Sequence, residues 1–184
     1  MTSQIFKTRV LTIAIIVMAS LSIQAQETGR TNQTDQSPMQ ALIGQSLAKV
    51  QESSPETFLN CIAEMKRIDA MFPDSIQPKY QSALQSLNFS VMNPHAEQTE
   101  NLLAEAERTI MQMEQMKNAD QSDICTLRGF LYMVRIVQDP AQNGQRYYLT
   151  VMQNYEKALR LNPNNALAQQ LQQKFMEGMK QQTN

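Results

Sequence analysis

The residue types that most often carry out catalysis are scarce in this sequence. Its 184 residues include one histidine, His95, and two cysteines, Cys61 and Cys125. A structural zinc site needs several His or Cys ligands, and a cysteine nucleophile needs a base within hydrogen-bond distance. His95 follows an Asn-Pro dipeptide, so we expect it in an exposed turn. These residues predict no metal ion, no cofactor and no catalytic centre.

Carboxylates offer the remaining route to catalysis. Two acids that converge in a pocket with shifted pKa values can act as general acid and base. Four glutamates crowd the predicted fourth helix, and a solvated helix face explains them better than a hydrolytic pair. We therefore predict a non-enzymatic protein, and the weaker alternative is a small hydrolase or transferase that uses these carboxylates. They are Glu97, Glu100, Glu105 and Glu107.

The overall charge excludes several classes of partner. The chain has 16 Lys and Arg residues and 17 Asp and Glu residues, which gives a formal net charge of -1. A nucleic-acid-binding protein needs a clustered basic face, and the composition provides no basic excess. The five glycines form neither the dinucleotide-binding nor the phosphate-binding pattern. The sequence therefore predicts no nucleic-acid partner and no nucleotide cofactor.

The N-terminus has the composition of a secretory signal peptide. Lys7 and Arg9 precede an apolar stretch of 14 residues, Val10–Ile23, and small residues lead up to Ala25. This order of charge, apolar core and small residues is typical of export signals, and the stretch is shorter than the ~20 residues that span a bilayer. We predict a signal peptide at residues 1–25, cleaved near Ala25, and a mature chain in the periplasm or at the cell surface. An uncleaved signal anchor is the alternative.

The segment after the signal is predicted to be a disordered linker, residues 26–37. Residues 26–36 contain no large apolar side chain that could offset the entropy lost on ordering. Removal of residues 1–25 takes away two cations and no anion, so the mature charge is 14 − 17 = −3. No later segment approaches membrane-spanning length. The folded domain is therefore predicted to be residues 38–184.

Apolar residues recur at helical spacing through this domain, and no stretch alternates long enough to predict a strand. Ser-Pro dipeptides at 37–38 and 54–55 place a capping residue and a proline at two helix starts. Ser122 is predicted to cap the fifth helix, and the polar residues 142–144 are predicted to form a loop. The fold is predicted to be all-α with about seven antiparallel helices: pairs at about 38–73, 78–117 and 122–163, and a capping helix at 165–180.

The end of the predicted sixth helix resembles a known repeat. Residues 155–165 read YEKALRLNPNN. In this segment Tyr155, Ala158 and Pro163 have the spacing found in the second helix of a tetratricopeptide repeat. Small residues in this family let paired helices approach, and the proline turns the chain into the next unit.

Three further residues extend the resemblance. Gly129 and Tyr132 fit the small residue and the aromatic residue of the first helix, and Pro73 ends a similar second helix in the first pair. Gly129 and Tyr155 are 26 residues apart, where the family has about 16. The additional residues, around 138–147, are predicted to loop out.

The resemblance implies an α–α superhelix whose first helices line a binding groove. We therefore predict an interaction scaffold or adaptor that binds a protein or peptide of unknown identity, apolar or amphipathic in character. A helical periplasmic chaperone or carrier of apolar ligands is the alternative. Lining residues of the groove would be Tyr80, Leu84, Leu87, Asp123, Thr126, Phe130 and Met133, unless these side chains fill a compact bundle instead.

The two cysteines would reach an oxidising compartment, where disulfides form. Cys61 lies on the second helix of the first predicted pair, and Cys125 lies on the first helix of the third. Because each repeat touches mainly its neighbours, their Cα atoms should lie beyond bonding distance. We predict two buried free thiols, and a disulfide is the alternative.

Overall fold

The computed structural model describes residues 37–52 and 54–182. The predicted signal peptide and nearly all of the predicted linker, residues 1–36, lie outside the described residues. Within this part of the chain the structure contains helices and no strand, so the predicted all-α fold is confirmed. The described residues form seven helices: α1 (Pro38–Leu47), α2 (Pro55–Met71), α3 (Ile76–Met92), α4 (Thr99–Glu114), α5 (Gln121–Gln138), α6 (Pro140–Leu161) and α7 (Ala166–Gln182).

Helices that follow one another in the chain pack together along the whole domain. In addition, α3 packs against α5 and α5 packs against α7. The helices therefore form three pairs, α1/α2, α3/α4 and α5/α6, with α7 next to the last pair, in a repeat-like arrangement. In this arrangement α3, α5 and α7 lie side by side. None of the described helices has the length and hydrophobicity needed to cross a membrane.

The first two helices begin at the predicted Ser-Pro dipeptides. Ser37 and Gln40 form a capping box at α1, in which the Gln40 N–H donates to Ser37 Oγ (3.4 Å) and the Ser37 N–H donates to Gln40 Oε1 (3.3 Å). At α2 Ser54 occupies the capping position, although its side chain makes no capping hydrogen bond. Both helices have proline in the first turn, where the missing N–H leaves no helical hydrogen bond unmade.

The cap of α5 differs from the prediction, because Asp120 and not Ser122 caps this helix. Asp120 Oδ1 accepts hydrogen bonds from the N–H groups of Ser122 (2.7 Å) and Asp123 (3.3 Å). The buried Ser122 hydroxyl instead donates to the carbonyl oxygen of Ala158 on α6, at 2.9 Å. The serine thus links two helices of a pair, and the aspartate two residues earlier caps the helix.

The connection between α5 and α6 also differs from the prediction. Residues 142–144 lie inside α6, and Asp139 alone separates the two helices. The Asp139 side chain accepts a hydrogen bond from the Gln142 N–H at 3.1 Å, and Pro140 begins the helix. The additional residues therefore lengthen both helices instead of looping out.

Side-chain contacts hold these lengthened helix ends in place. The rings of Tyr132 and Tyr147 lie 5.1 Å apart between centroids, and Asn143 Nδ2 donates to the carbonyl oxygen of Arg135 at 2.7 Å. Arg135 in turn forms an ion pair with Glu100 of α4 at 2.7 Å. A glycine inside a helix costs only about 1 kcal/mol relative to alanine, so these contacts outweigh the turn-forming character of the Gln-Asn-Gly sequence.

The repeat-like positions occupy defined places in the fold. Tyr155 is fully buried between α5 and α6, where it faces Gly129, and its hydroxyl donates to Met133 Sδ at 3.7 Å. Ala158 is fully buried beside Cys125 and Ala168. Tyr132 is half-buried, whereas the prolines that follow α2 and α6, Pro73 and Pro163, are exposed in turns.

Candidate functional site

A cavity of about 320 Å³ opens where the N-terminal ends of α3 and α5 lie beside each other. We call it the end cavity. Its wall combines acidic, neutral polar and apolar side chains, and no lysine, arginine or histidine is among its lining residues. The lining residues are Met39, Asp74, Ser75, Ile76, Gln77, Tyr80, Met113, Asn118, Asp120, Asp123 and Ile124.

Helix starts position the three carboxylates of this cavity. Asp120 is held in place by its capping hydrogen bonds at α5, and Asp123 lies in the first turn of the same helix. Asp74 precedes Ser75, the residue at the capping position of α3. Two neighbouring helices thus begin at the same wall of the cavity, because α3 and α5 pack side by side.

Asp123 is fixed from a third helix. Asn165, at the start of α7, donates through Nδ2 to Asp123 Oδ1 (3.1 Å), to Ser122 Oγ (2.9 Å) and to Thr126 Oγ1 (3.3 Å). Burial raises the pKa of the Asp123 carboxyl, the charge of Asp120 raises it further, and the hydrogen bond from Asn165 acts in the opposite direction. The ionised form of Asp123 is therefore held in the cavity at an energetic cost.

Tyr80 brings a phenol hydroxyl into the same cavity. No hydrogen-bond partner for this hydroxyl is present among the described residues. Burial of the phenol, followed by the negative charges of Asp123 and Asp120, raises the pKa of Tyr80 well above its ordinary range. The hydroxyl is therefore neutral and keeps both its donor and its acceptor capacity for a bound group.

The structure separates the seven predicted groove residues into two sets. Tyr80 and Asp123 line the end cavity. The other five are buried, because α5 packs against both α3 and α7, and they fill the interior as in the bundle alternative. The buried residues are Leu84, Leu87, Thr126, Phe130 and Met133.

Several residues of the site were not predicted from the sequence. Asp120 was overlooked because Ser122, two residues later, is an equally good capping type. Asn165 follows Pro163-Asn164. It could have been predicted as a helix-capping residue, because it lies immediately before an apolar helical stripe. Asp74 carries no such signal, since only the side-by-side placement of α3 and α5 brings it near Asp120.

A second cavity, of about 310 Å³, lies between α2, α3 and α4 and has a different charge pattern. Its two carboxylates are both paired with lysines: Asp69 with Lys79 at 2.5 Å, and Glu105 with Lys66. The first ion pair joins α3 to α2, and the second joins α2 to α4. The charges of this cavity are therefore largely matched within the protein.

The remaining catalytic candidates are separate from both cavities or already engaged. His95 is exposed in the turn after α3, as predicted. Cys61 and Cys125 are free and buried, as predicted, and the Ser46 hydroxyl lies 3.3 Å from Cys61 Sγ. Glu100 accepts hydrogen bonds from Arg135, which lower the pKa of its carboxyl. Within residues 37–52 and 54–182 no group of three or more His, Cys, Asp or Glu side chains could hold a metal ion.

Comparison with known proteins identifies no family for this chain. No protein-family model matches it, and neither a curated protein nor a solved structure matches it significantly. The function must therefore be inferred from the described residues.

Proposed function

We propose that this protein is a non-enzymatic helical-repeat scaffold that binds a segment of another protein. The end cavity carries this proposal. It lies between the first helices of two consecutive pairs, α3 and α5, which is where a helical-repeat protein of the tetratricopeptide type would bind a peptide. Following the export pattern in residues 1–25, we place the protein in the periplasm or at the cell surface.

The composition of the cavity wall supports a protein ligand. Met39 and Ile76, which are partly exposed, supply apolar surface, and Asp120, Asp123 and the Tyr80 hydroxyl supply polar groups. Recognition sites for peptide side chains combine apolar walls with a few fixed polar groups in this way. An apolar ligand, as a carrier protein would require, would leave these carboxylates desolvated and unpaired.

The resemblance to the tetratricopeptide repeat supports the same function. Tyr155 and Ala158 are fully buried at the interface of the α5/α6 pair, and small and large residues meet there as the repeat requires. This packing fixes the position of α5, and with it Asp120 and Asp123. In this proposal the repeat-like residues Tyr155 and Ala158 contribute to the site indirectly, because they fix the position of α5.

Native isolation of the protein from its own cells tests the proposal. The unstripped protein is purified from the cell envelope and examined by native mass spectrometry, and any associated protein is then produced separately and its binding is measured. We expect a stoichiometric complex that forms again from the purified components. Co-purified lipid without a protein partner would favour the carrier function and contradict the scaffold.

A further inference from the structure

We propose that the end cavity receives a basic side chain, arginine or lysine, from the protein partner. This inference rests on the proposed scaffold function and adds the chemistry of the recognised group. It names one occupant, a cationic residue whose charged end meets Asp120 and Asp123 and whose aliphatic stem meets the apolar wall.

The charge pattern is the first reason. Among the described residues, none of Asp74, Asp120 and Asp123 forms an ion pair, and no cation is among the lining residues of the cavity. In the second cavity, by contrast, Asp69 and Glu105 are both paired with lysines. The end cavity therefore concentrates negative charge that the chain does not match, and a cation is the complementary guest.

The Tyr80 hydroxyl is an independent second reason. It lies in the cavity without a hydrogen-bond partner among the described residues, and burial is the main cause of its raised pKa. Tyr80 is partly buried and lines the cavity, so the donor and acceptor capacity of its hydroxyl is open to a ligand. An N–H of a guanidinium or ammonium group would donate to the Tyr80 oxygen while it also meets the carboxylates.

The electrostatics of Asp123 agree with this occupant. Its pKa is raised by burial and by the charge of Asp120. Both effects disfavour the ionised form of Asp123 while the cavity contains no cation. A bound cation reverses the second effect, because it stabilises the ionised forms of both groups. Asn165 orients Asp123 through its Oδ1 atom and leaves Oδ2 available to a ligand.

The apolar part of the wall matches the rest of a basic side chain. Arginine and lysine bury their methylene stems along apolar surfaces while the charged end meets polar groups. Met39 and Ile76, which are partly exposed, supply such a surface beside the carboxylates. A small inorganic cation would make no use of these two side chains.

The test uses two short peptides that differ only in charge. The probes are acetyl-Ala-Arg-Ala-amide and the same peptide with citrulline, which has nearly the shape of arginine but no charge. Binding to the purified, isotope-labelled protein is followed by NMR chemical shifts. We expect saturable shifts at the amides of residues 74–77 and 118–124 with the arginine peptide, and binding weaker by roughly tenfold or more with citrulline.

Variants of the protein test the same contact from the other side. The double variant Asp120→Asn/Asp123→Asn removes both charges, while asparagine can still cap α5 and still accept from Asn165. It should bind the arginine peptide roughly tenfold or more weakly. Asp139→Asn is the matched control, because it also removes one charge from a helix cap but lies at the other end of α5; its binding should be unchanged. Tyr80→Phe, which removes only the hydroxyl, should weaken binding on its own and serves if the double variant fails to fold.

Several results would overturn the inference. They are equal binding of the two peptides, unchanged binding in both the double variant and Tyr80→Phe, or shifts confined to other residues. If the peptides fail while a native protein partner is found, only the basic-residue inference is wrong; if they bind while no protein partner exists, the scaffold function is wrong.

Discussion

Gly129 on α5 and Tyr155 on α6 are in direct contact, and the contact leaves no room for a side chain on the glycine. A Cβ atom at residue 129 would lie 2.7 Å from Cε1, 2.9 Å from Cδ1 and 3.1 Å from Cζ of the tyrosine ring. Tyr155 is fully buried, so its ring cannot move into solvent. The small residue therefore sets how closely the two helices of the third pair approach.

Gly129→Ala is predicted to destabilise the protein. Overpacking a core costs about 1–3 kcal/mol, and the intrinsic helix preference of alanine over glycine returns up to ~1 kcal/mol, so we expect a net loss of about 1–2 kcal/mol. Urea unfolding measures this change. Gly144→Ala is the matched control on the same helix pair, since nothing lies within 4 Å of its added Cβ, and it should not lower stability. Equal stability of both variants with the wild type would refute the close contact.

Asn165→Ala is predicted to loosen α7 and to release Asp123. The substitution removes an amide group whose two N–H hydrogens are shared among three oxygen acceptors, and it removes the cap in which the Ala168 N–H donates to Asn165 Oδ1 at 3.0 Å. Loss of a cap and of buried hydrogen bonds typically costs about 1–3 kcal/mol. Urea unfolding of this variant is compared with that of Asn164→Ala, whose side chain is exposed. A similar loss in both variants would mean that the network around Ser122 contributes little.

Asp123→Asn is predicted to stabilise the protein at neutral pH. The pKa of Asp123 is higher in the folded protein than its ordinary value of 3.8, so the folded state binds more protons and its stability falls as the pH rises through that range. Asparagine removes this penalty. We expect the melting temperature of the variant to exceed that of the wild type at pH 7, by an amount that shrinks as the pH approaches 4. A variant that melts lower at neutral pH would contradict this account of the cavity.

Both thiols are predicted to resist alkylation while the protein is folded. Burial raises the pKa of Cys61 and of Cys125, and the thiolate is the reactive form. Iodoacetamide should therefore label neither residue in native protein and both in urea, without added reductant. Intact mass measures the labels. A native mass that is two hydrogen atoms lower, with no label in urea, would instead show a disulfide.

Sequence patterns predicted the helices of this protein well, because periodicity and caps are local. The Ser-Pro dipeptides before Pro38 and Pro55 mark two helix starts, and seven helices in pairs follow from the apolar spacing. Local sequence signals gave the wrong secondary structure where contacts between helices determine it. At residues 142–144 the Gln-Asn-Gly sequence favours a turn, yet the contact of Tyr147 with Tyr132 keeps it helical.

The site was harder to predict, because its residues come from different helices. The family resemblance implied that first helices line a groove, and two residues of the predicted set, Tyr80 and Asp123, line the end cavity. It could not indicate that Leu84, Leu87 and Phe130 are buried, since their burial depends on how closely α3, α5 and α7 approach. Asp74 and Asp120 are brought together only by the packing of α3 against α5.

Site-directed photo-crosslinking in cells tests the central claim most directly. A benzophenone amino acid replaces Gln77, which is exposed at the rim of the end cavity, or Glu156, which is exposed on α6 and does not line it. If the protein is a scaffold that binds its partner at this cavity, illumination gives a discrete adduct with one protein from residue 77 and none from residue 156. The absence of a protein adduct at residue 77, or the same adducts from both positions, would contradict the proposed function.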